Sequence, residues 1–250
     1  MTLEEAINLA QDGDHSAIRA LGDYYQNSEN EDHDYEEAIK WYTVGAENGY
    51  SDCMLLAAML GSISAYSCKE LGFYDSSISN AEKALFWAEK ALEKGQDSAK
   101  ETILTIKGEM GIAYYYSSTE EHDASVKSEK LSKAISFMLP IYNRTSSKEV
   151  LLCLGLAITA YEKFAGYSYD DCFLAHSLLK RCVDDYFLEL KNAKIAAAFL
   201  GLNYTYGHGC EVDYDKAVHY YQIANNAGID CSKELSCFRP KLFGGYKFIG

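Results

Sequence analysis

The chain has 250 residues, 48% of them apolar, which is enough for a sizeable core, and it has only two prolines, a scarcity that suits a mostly helical protein. No apolar run reaches the roughly 18 residues that a membrane-spanning helix needs, and the first residues lack the basic and apolar regions of a secretory signal, so we expect a soluble protein without membrane insertion. Residues 1–50 contribute −10 of the net charge of −14, which argues against binding to nucleic acid or to an anionic membrane surface and leaves two interpretations of this region, a solubilising cap or a docking site for a basic partner.

The N-terminal residues 3–13, LEEAINLAQDG, look like the second half of a helical repeat. Ala10 and Gly13 have the spacing of Ala46 and Gly49 farther along the chain. We therefore predict an N-terminal capping helix within residues 1–13.

Three later segments share one pattern: EEAIKWYTVGAENG (36–49), EKALFWAEKALEKG (82–95) and DKAVHYYQIANNAG (215–228). In each of them eleven residues separate an alanine from a closing glycine. That spacing predicts a three-turn helix ended by a glycine with positive φ, at which the chain reverses. The pairs are Ala38 and Gly49, Ala84 and Gly95, and Ala217 and Gly228.

Another helix is predicted before the first and the last of these segments. Each carries alanine, leucine, glycine and tyrosine at the same spacing, and thirteen residues separate the tyrosine from the alanine of the next helix. The small residues allow two helices to approach closely, while leucine and tyrosine fill the space between them. The two sets are Ala17, Leu21, Gly22 and Tyr25, and Ala196, Leu200, Gly201 and Tyr204.

The last copy, residues 196–228, resembles the SEL-one-like repeat (SLR) family, which is related to tetratricopeptide repeats. It matches the family pattern A-x3-L-G-x2-Y-x2-G-x-G followed by D-x2-KA-x2-WY-x2-A-x3-G. The resemblance implies an all-α fold, a right-handed superhelical α/α solenoid of about five helix-turn-helix repeats in a single domain spanning 1–250. The expected boundaries are an N-terminal cap at 1–13, repeats at about 14–49, 50–95, 96–145, 146–190 and 191–228, and a C-terminal cap or tail at 229–250.

The middle repeats are assigned by register, and their extra residues, around 62–79 and 116–129, are expected in loops between helices. The tail, FRPKLFGGYKFIG, is basic, has no acidic residue and contains four aromatic side chains. It is expected either to cap the last repeat or to serve as a linear motif for a partner. Its aromatic residues are Phe238, Phe243, Tyr246 and Phe248.

No sequence signature of an enzyme is found: a P-loop, a dinucleotide fingerprint, a nucleophile elbow and an HExxH motif are all missing. We therefore predict no catalytic residues, no metal and no cofactor. The alternative of a metalloprotein rests on histidines and cysteines whose spacing matches no zinc finger or ribbon. These residues are His208, Cys210, His219, Cys231 and Cys237, with a further pair at Cys172 and His176.

The eight cysteines occupy no fixed position in the repeats, so we expect most of them to be reduced and the protein to be cytoplasmic. Export by a specialised secretion system is the alternative. Some secreted, cysteine-rich SLR proteins have been linked to β-lactams, but the disulfide spacing and signal peptide that accompany that activity are not found in this sequence.

The resemblance also implies a function, because SLR proteins commonly bridge or recruit other proteins, often in bacteria. The first helix of each repeat would line a concave groove that binds a partner protein or peptide, unless winding of the repeats or the 62–79 loop covers it. An effector or surface antigen that acts by binding is an alternative, and weak homodimerisation stays open. The residues expected to face the groove are Arg19, Asp23, Leu55, Met59, Leu152, Leu156 and Leu202.

Overall fold

The structure is a computed structural model that describes residues 2–166, 168–186, 190, 192–242 and 244–250. Phe243, one of the tail aromatics, and most of the segment 187–191 lie outside the described residues. The described part of the chain contains twelve helices and one short antiparallel pair of strands, which confirms the prediction of an all-α repeat fold.

The helices follow one another with short connections. In chain order they are α1 (Leu3–Gln11), α2 (His15–Gln26), α3 (Tyr35–Glu47), α4 (Ser51–Glu70), α5 (Tyr74–Glu93), α6 (Ala99–Glu120), α7 (Ala124–Met138), α8 (Lys148–Ala165), α9 (Tyr169–Tyr186), α10 (Ala193–Tyr206), α11 (Tyr214–Asn226) and α12 (Ser232–Ser236), followed by β1 (Phe238–Pro240) and β2 (Tyr246–Phe248).

The chain divides into two compact units, Met1–Ala113 and Tyr114–Gly250, with the division inside α6. The single solenoid domain spanning 1–250 stays a prediction. In a helical repeat array each hairpin contacts only its neighbours, so one core need not extend through the whole chain. We call the two parts unit 1 and unit 2.

One contact recurs in the first repeat of unit 1 and the last repeat of unit 2. The bare Cα of Gly22 on α2 lies against the ring of Tyr42 on α3, so closely that a Cβ at position 22 would lie 2.4 Å from a ring carbon. Gly201 on α10 and Tyr221 on α11 repeat the arrangement, and a Cβ at position 201 would lie 2.6 Å from the ring. Helices can approach this closely only where one of them has no side chain at the contact.

The turn within these two repeats is also shared. The backbone N–H of Asp34 donates to the carbonyl of Tyr25, and that of Asp213 donates to the carbonyl of Tyr204, both at 2.9 Å. Each aspartate then caps the following helix with its side chain, Asp34 accepting from the N–H groups of Glu36 and Glu37. The thirteen-residue spacing found in the sequence corresponds to this turn.

The second repeat differs from the sequence prediction. Residues 62–79 were expected in a loop, but they lengthen the two helices, so that α4 and α5 have 20 residues each, against 12 in α2 and 13 in α3. Gly72 is the one glycine of this segment, which contains no proline, and the chain reverses there with φ of +82°. The residues around 116–129 are likewise mostly helical, because α6 continues to Glu120 and α7 begins at Ala124.

Helix α4 is the one described helix that is long and apolar enough to cross a membrane by length and composition alone. It also packs against α3 and α5, where it buries small and apolar side chains such as Cys53, Ala57 and Leu60. Core helices of soluble proteins have the same composition.

The tail of unit 2 contacts α11 through its strands. Phe238 and Phe248 are partners in the antiparallel register, and Phe238 is buried between the rings of Tyr214 and Tyr221. The N–H of Tyr246 also donates to the Asp215 carboxylate at 2.7 Å. The tail therefore covers an apolar side of α11.

Adding a methyl group at Gly22 should disrupt the helix contact. We expect Gly22→Ala to lower the free energy of unfolding by about 1–3 kcal/mol, because the new Cβ overlaps the ring of Tyr42. Gly61→Ala on α4 is the control, since its Cβ would lie 3.1 Å from the Cβ of Ala84 and a helical alanine is intrinsically favoured. Urea unfolding followed by circular dichroism compares the two, and equal losses would contradict the overlap.

Candidate functional site

Helix α4 in unit 1 presents an apolar stripe on one face. Leu55, Met59, Ile63 and Tyr66 follow one another at intervals of four, four and three residues, which places them in line along the helix. Met59, Ile63 and Tyr66 are exposed by 47%, 54% and 47%, and Leu55 is half-buried. We call these four residues the α4 stripe.

The stripe has a charged end one turn before Leu55. Asp52 accepts a hydrogen bond from Arg19 Nη1 on α2 at 3.0 Å, and His15 Nε2 lies 2.9 Å from its other carboxylate oxygen. Burial alone would raise the pKa of Asp52, but the hydrogen bonds from Arg19 and the Cys53 backbone, together with His15, lower it below its usual value. Asp52 is therefore an anion held between two basic side chains.

Arg19 and Asp23, both predicted to face a partner, are bound to each other. Arg19 Nε donates to both carboxylate oxygens of Asp23 at 3.1 Å. The hydroxyl of Tyr42 donates to Asp23 at 2.6 Å, and burial, followed by this hydrogen bond, raises the pKa of Tyr42. We call the surface formed by the α4 stripe together with Arg19, Asp23 and Asp52 the α2–α4 face. A partner that contacts its charged end would meet charges that are already paired with one another.

In unit 2 the sequence prediction needs correction. Leu152 and Leu156 on α8 are each only 1% exposed, so these side chains are not accessible to a partner. The reason is that α8 packs against α7, α9 and α10, accepts a hydrogen bond from Tyr116 of α6, and buries its residues continuously from 150 to 159. A position on the first helix of a repeat does not by itself imply exposure.

Leu202 on α10 is half-buried and lines a cavity of about 230 Å³ beside the tail. Tyr206, Tyr221, Phe238 and Phe248 also line it. The tail thus covers the surface to which Leu202 contributes. A wider depression of about 650 Å³ lies between α9 and α11, but its carboxylate, Asp184, already accepts from Tyr220 and pairs with Lys180.

Two buried polar side chains of unit 2 have atoms without a hydrogen-bond partner, Glu162 Oε1 and His176 Nδ1. Burial raises the pKa of Glu162, and burial together with nearby Lys180 and Lys216 lowers the pKa of His176 to about 4. The ring of His176 meets that of Tyr204 edge-on at 4.9 Å. The sequence spacing singled out Cys172 and His176 on α9, whereas no sequence pattern points to Glu162 on α8.

Among the described residues, the one group of three metal-ligand atoms within 4.8 Å of one another is His15, Asp52 and Cys53. The C-terminal histidines and cysteines suggested by the sequence do not form such a group in the described part of the chain. At the N-terminal group Arg19 already neutralises Asp52, and burial raises the pKa of the Cys53 thiol to about 11. The packing and ion pairs of this group account for it without a metal.

The paired helices, the shared glycine–tyrosine contact and the identical turns define a helical-hairpin repeat protein. A profile of the Sel1 repeat matches residues 15–50, 57–96 and 194–229, so the chain carries three Sel1 repeats and the predicted resemblance is confirmed. Sel1-repeat proteins are generally non-enzymatic scaffolds for protein–protein interaction. No curated protein sequence matches the chain.

Two solved structures are similar in fold. One is a protective antigen of uropathogenic Escherichia coli strains with an SLR fold, 17% identical, with a TM-score of 0.33 over 94% of this chain and 58% of that one. The other is a Sel1 repeat protein from Oxalobacter formigenes, also 17% identical, with a TM-score of 0.34 over 91% of this chain and 85% of that one. This chain therefore spans a little over half the length of the first.

Removing the charge of Asp52 should make unfolding less sensitive to acid. A lowered pKa contributes stability above pH ~4, and this contribution is lost as the pH falls through the folded-state value. Because Asp52 is partly exposed, we expect no more than about 1 kcal/mol. Urea unfolding at pH 6 and pH 3 should show a smaller difference for Asp52→Asn than for wild type, and an unchanged difference would contradict the ion pairs with Arg19 and His15.

His176 should produce a different pH dependence. Its folded-state pKa of about 4 lies below the usual value, so the unfolded chain binds a proton first and stability falls as the pH drops from about 6.5 towards 4. Between pH 7.5 and 4.5 this loss is roughly 2–3 kcal/mol. We expect His176→Phe to remove it, whereas His122→Phe, at an exposed position, leaves it in place. Denaturant titrations at the two pH values measure the difference.

Proposed function

We propose that the chain is an adaptor that binds a partner protein through the α2–α4 face of unit 1. The observation that supports this most directly is the α4 stripe, in which large apolar side chains are about half exposed in a line on one helix. Scattered exposed apolar residues are ordinary, but a continuous row marks an interaction surface.

The sequence predicted a groove lined by residues of both units, whereas the proposed binding surface lies on unit 1 alone. It keeps Leu55 and Met59 as contact residues, with Arg19 and Asp23 at the charged end. It omits Leu152 and Leu156, which are buried in the core of unit 2, and Leu202, which the tail partly covers.

A binding role also fits the polar groups that the structure describes. Glu162 and His176, whose pKa values are displaced, are both buried, and the exposed charges of the α2–α4 face are paired with one another. Each set has a thiol beside a base, Cys172 beside Glu162 and Cys53 near His15, but both thiols are buried. Burial raises the pKa of both thiols, which disfavours the thiolate that covalent catalysis needs. We therefore assign no catalytic residue.

We propose a cytoplasmic location in a bacterial cell. All eight cysteines are free thiols, and five of them are buried in the repeat cores. Free cysteines at so many positions suit a reducing compartment.

A charge placed in the stripe tests the proposal. We expect Met59→Glu to reduce recovery of the partner at least tenfold in affinity capture from the native cells, because a carboxylate would have to be buried at the interface without a counter-charge. Val126→Glu on α7, where the valine is 40% exposed, is the matched control. Circular dichroism confirms that both variants fold, and equal recovery from both would reject the α2–α4 face as the binding surface.

A further inference from the structure

The far end of the α4–α5 hairpin exposes apolar residues beyond those needed for the repeat. The turn between the helices consists of Leu71, Gly72 and Phe73, and Leu71 and Phe73 are exposed by 71% and 61%. They follow directly after α4, at the end of the helix that carries Tyr66. We call these three residues the α4–α5 turn.

The charge of the hairpin is negative. Residues 51–93 contain six acidic side chains and three basic ones, Lys69, Lys83 and Lys90. Lys69, the basic side chain of α4, is only 4% exposed, and its Nζ lies 3.1 Å from Glu109 and 3.3 Å from Glu70. The hairpin therefore carries a net charge of −3, and the cation of α4 is already paired with carboxylates.

The same imbalance extends over unit 1. Residues 1–113 contain 21 acidic and 8 basic side chains, a net charge of −13, whereas residues 114–250 contain 16 and 15. Nearly all of the negative charge of the chain thus belongs to the unit that carries the stripe. Such a field attracts cationic partners and repels anionic ones.

We infer that the α4 stripe and the α4–α5 turn together bind an amphipathic helix of a partner protein that carries lysine or arginine beside its apolar face. From Leu55 to Tyr66 the stripe covers three helical turns, about 16 Å, which matches anchors at positions i, i+4, i+7 and i+11 of a docked helix. This inference rests on the proposed function and adds the chemistry of the partner.

The probe is a designed 18-residue peptide with leucines on one helical face and lysines on the other. Two peptides serve as controls: one with glutamate in place of every lysine, and one with the leucines and lysines in an order that has no apolar face. Fluorescence anisotropy with the full chain measures the dissociation constants at low and at 0.5 M salt.

The protein variants separate the turn from the stripe. In the double variant Leu71→Ser/Phe73→Ser the two exposed side chains of the α4–α5 turn lose their apolar contact without a change in charge. Val126→Ser on α7 is the matched control. Met59→Ser tests the α4 stripe, on which the proposed function rests.

We expect the lysine peptide to bind wild type and Val126→Ser equally and to bind the double variant at least tenfold more weakly. The glutamate peptide and the reordered peptide should bind to wild type at least tenfold more weakly than the lysine peptide does. Raising the salt concentration to 0.5 M should weaken the binding of the lysine peptide. The inference fails if the lysine peptide does not bind, if either control peptide binds as well as the lysine peptide, or if the double variant binds like wild type.

Three further outcomes are distinguishable. If the double variant binds normally and Met59→Ser does not, the proposed function stands and the extension to the turn is wrong. If both bind normally, both proposals fail. If light scattering shows that wild type without peptide is a dimer that Met59→Ser dissociates, a second copy covers the stripe and the inference is overturned.

Discussion

The contact between a bare glycine Cα and a tyrosine ring fixes the geometry of the repeat on which the rest of the structure depends. Gly22 with Tyr42 in unit 1, and Gly201 with Tyr221 in unit 2, bring two helices closer than any side chain would allow. Because the two helices touch where glycine has no side chain, any larger residue at position 22 or 201 would overlap the tyrosine ring. Everything outside the contact, including helix length, can then vary without loss of the hairpin.

That freedom explains where the candidate site lies. The second repeat has helices of 20 residues, and the added turns of α4 and α5 are not needed to bury the core around Ala38, Tyr42, Ala57 and Leu60. The additional helix surface carries exposed apolar side chains and acidic neighbours instead. The proposed contact surface thus begins beside the core, at Leu55 and Met59, and continues onto the extension at Ile63 and Tyr66.

The sequence was sufficient to predict the hairpins of the first and last repeats, because an alanine followed eleven residues later by a glycine has a direct backbone consequence, the positive φ at Gly49 and Gly228. It did not predict the helical extension after residue 62. Inserted residues without proline, and with a single glycine at 72, can form either a loop or longer helices, and tertiary packing decides between them.

The site was predicted only in part. Asp23 and Met59 are exposed and Arg19 and Leu55 are half-buried, whereas Leu152 and Leu156 are buried because several helices surround α8. The number of neighbours around a helix depends on contacts distant in sequence, and repeat register does not reveal it. The ion pairs of Asp52 with Arg19 and His15 likewise join residues more than 30 positions apart.

Site-specific photo-crosslinking in native cells would test most directly whether the α4 stripe is the binding surface. A photoreactive phenylalanine analogue at position 63 should form a covalent adduct with a partner protein, and the same analogue at position 126 should not. Adducts of the same protein from both positions, or none from position 63, would contradict the account.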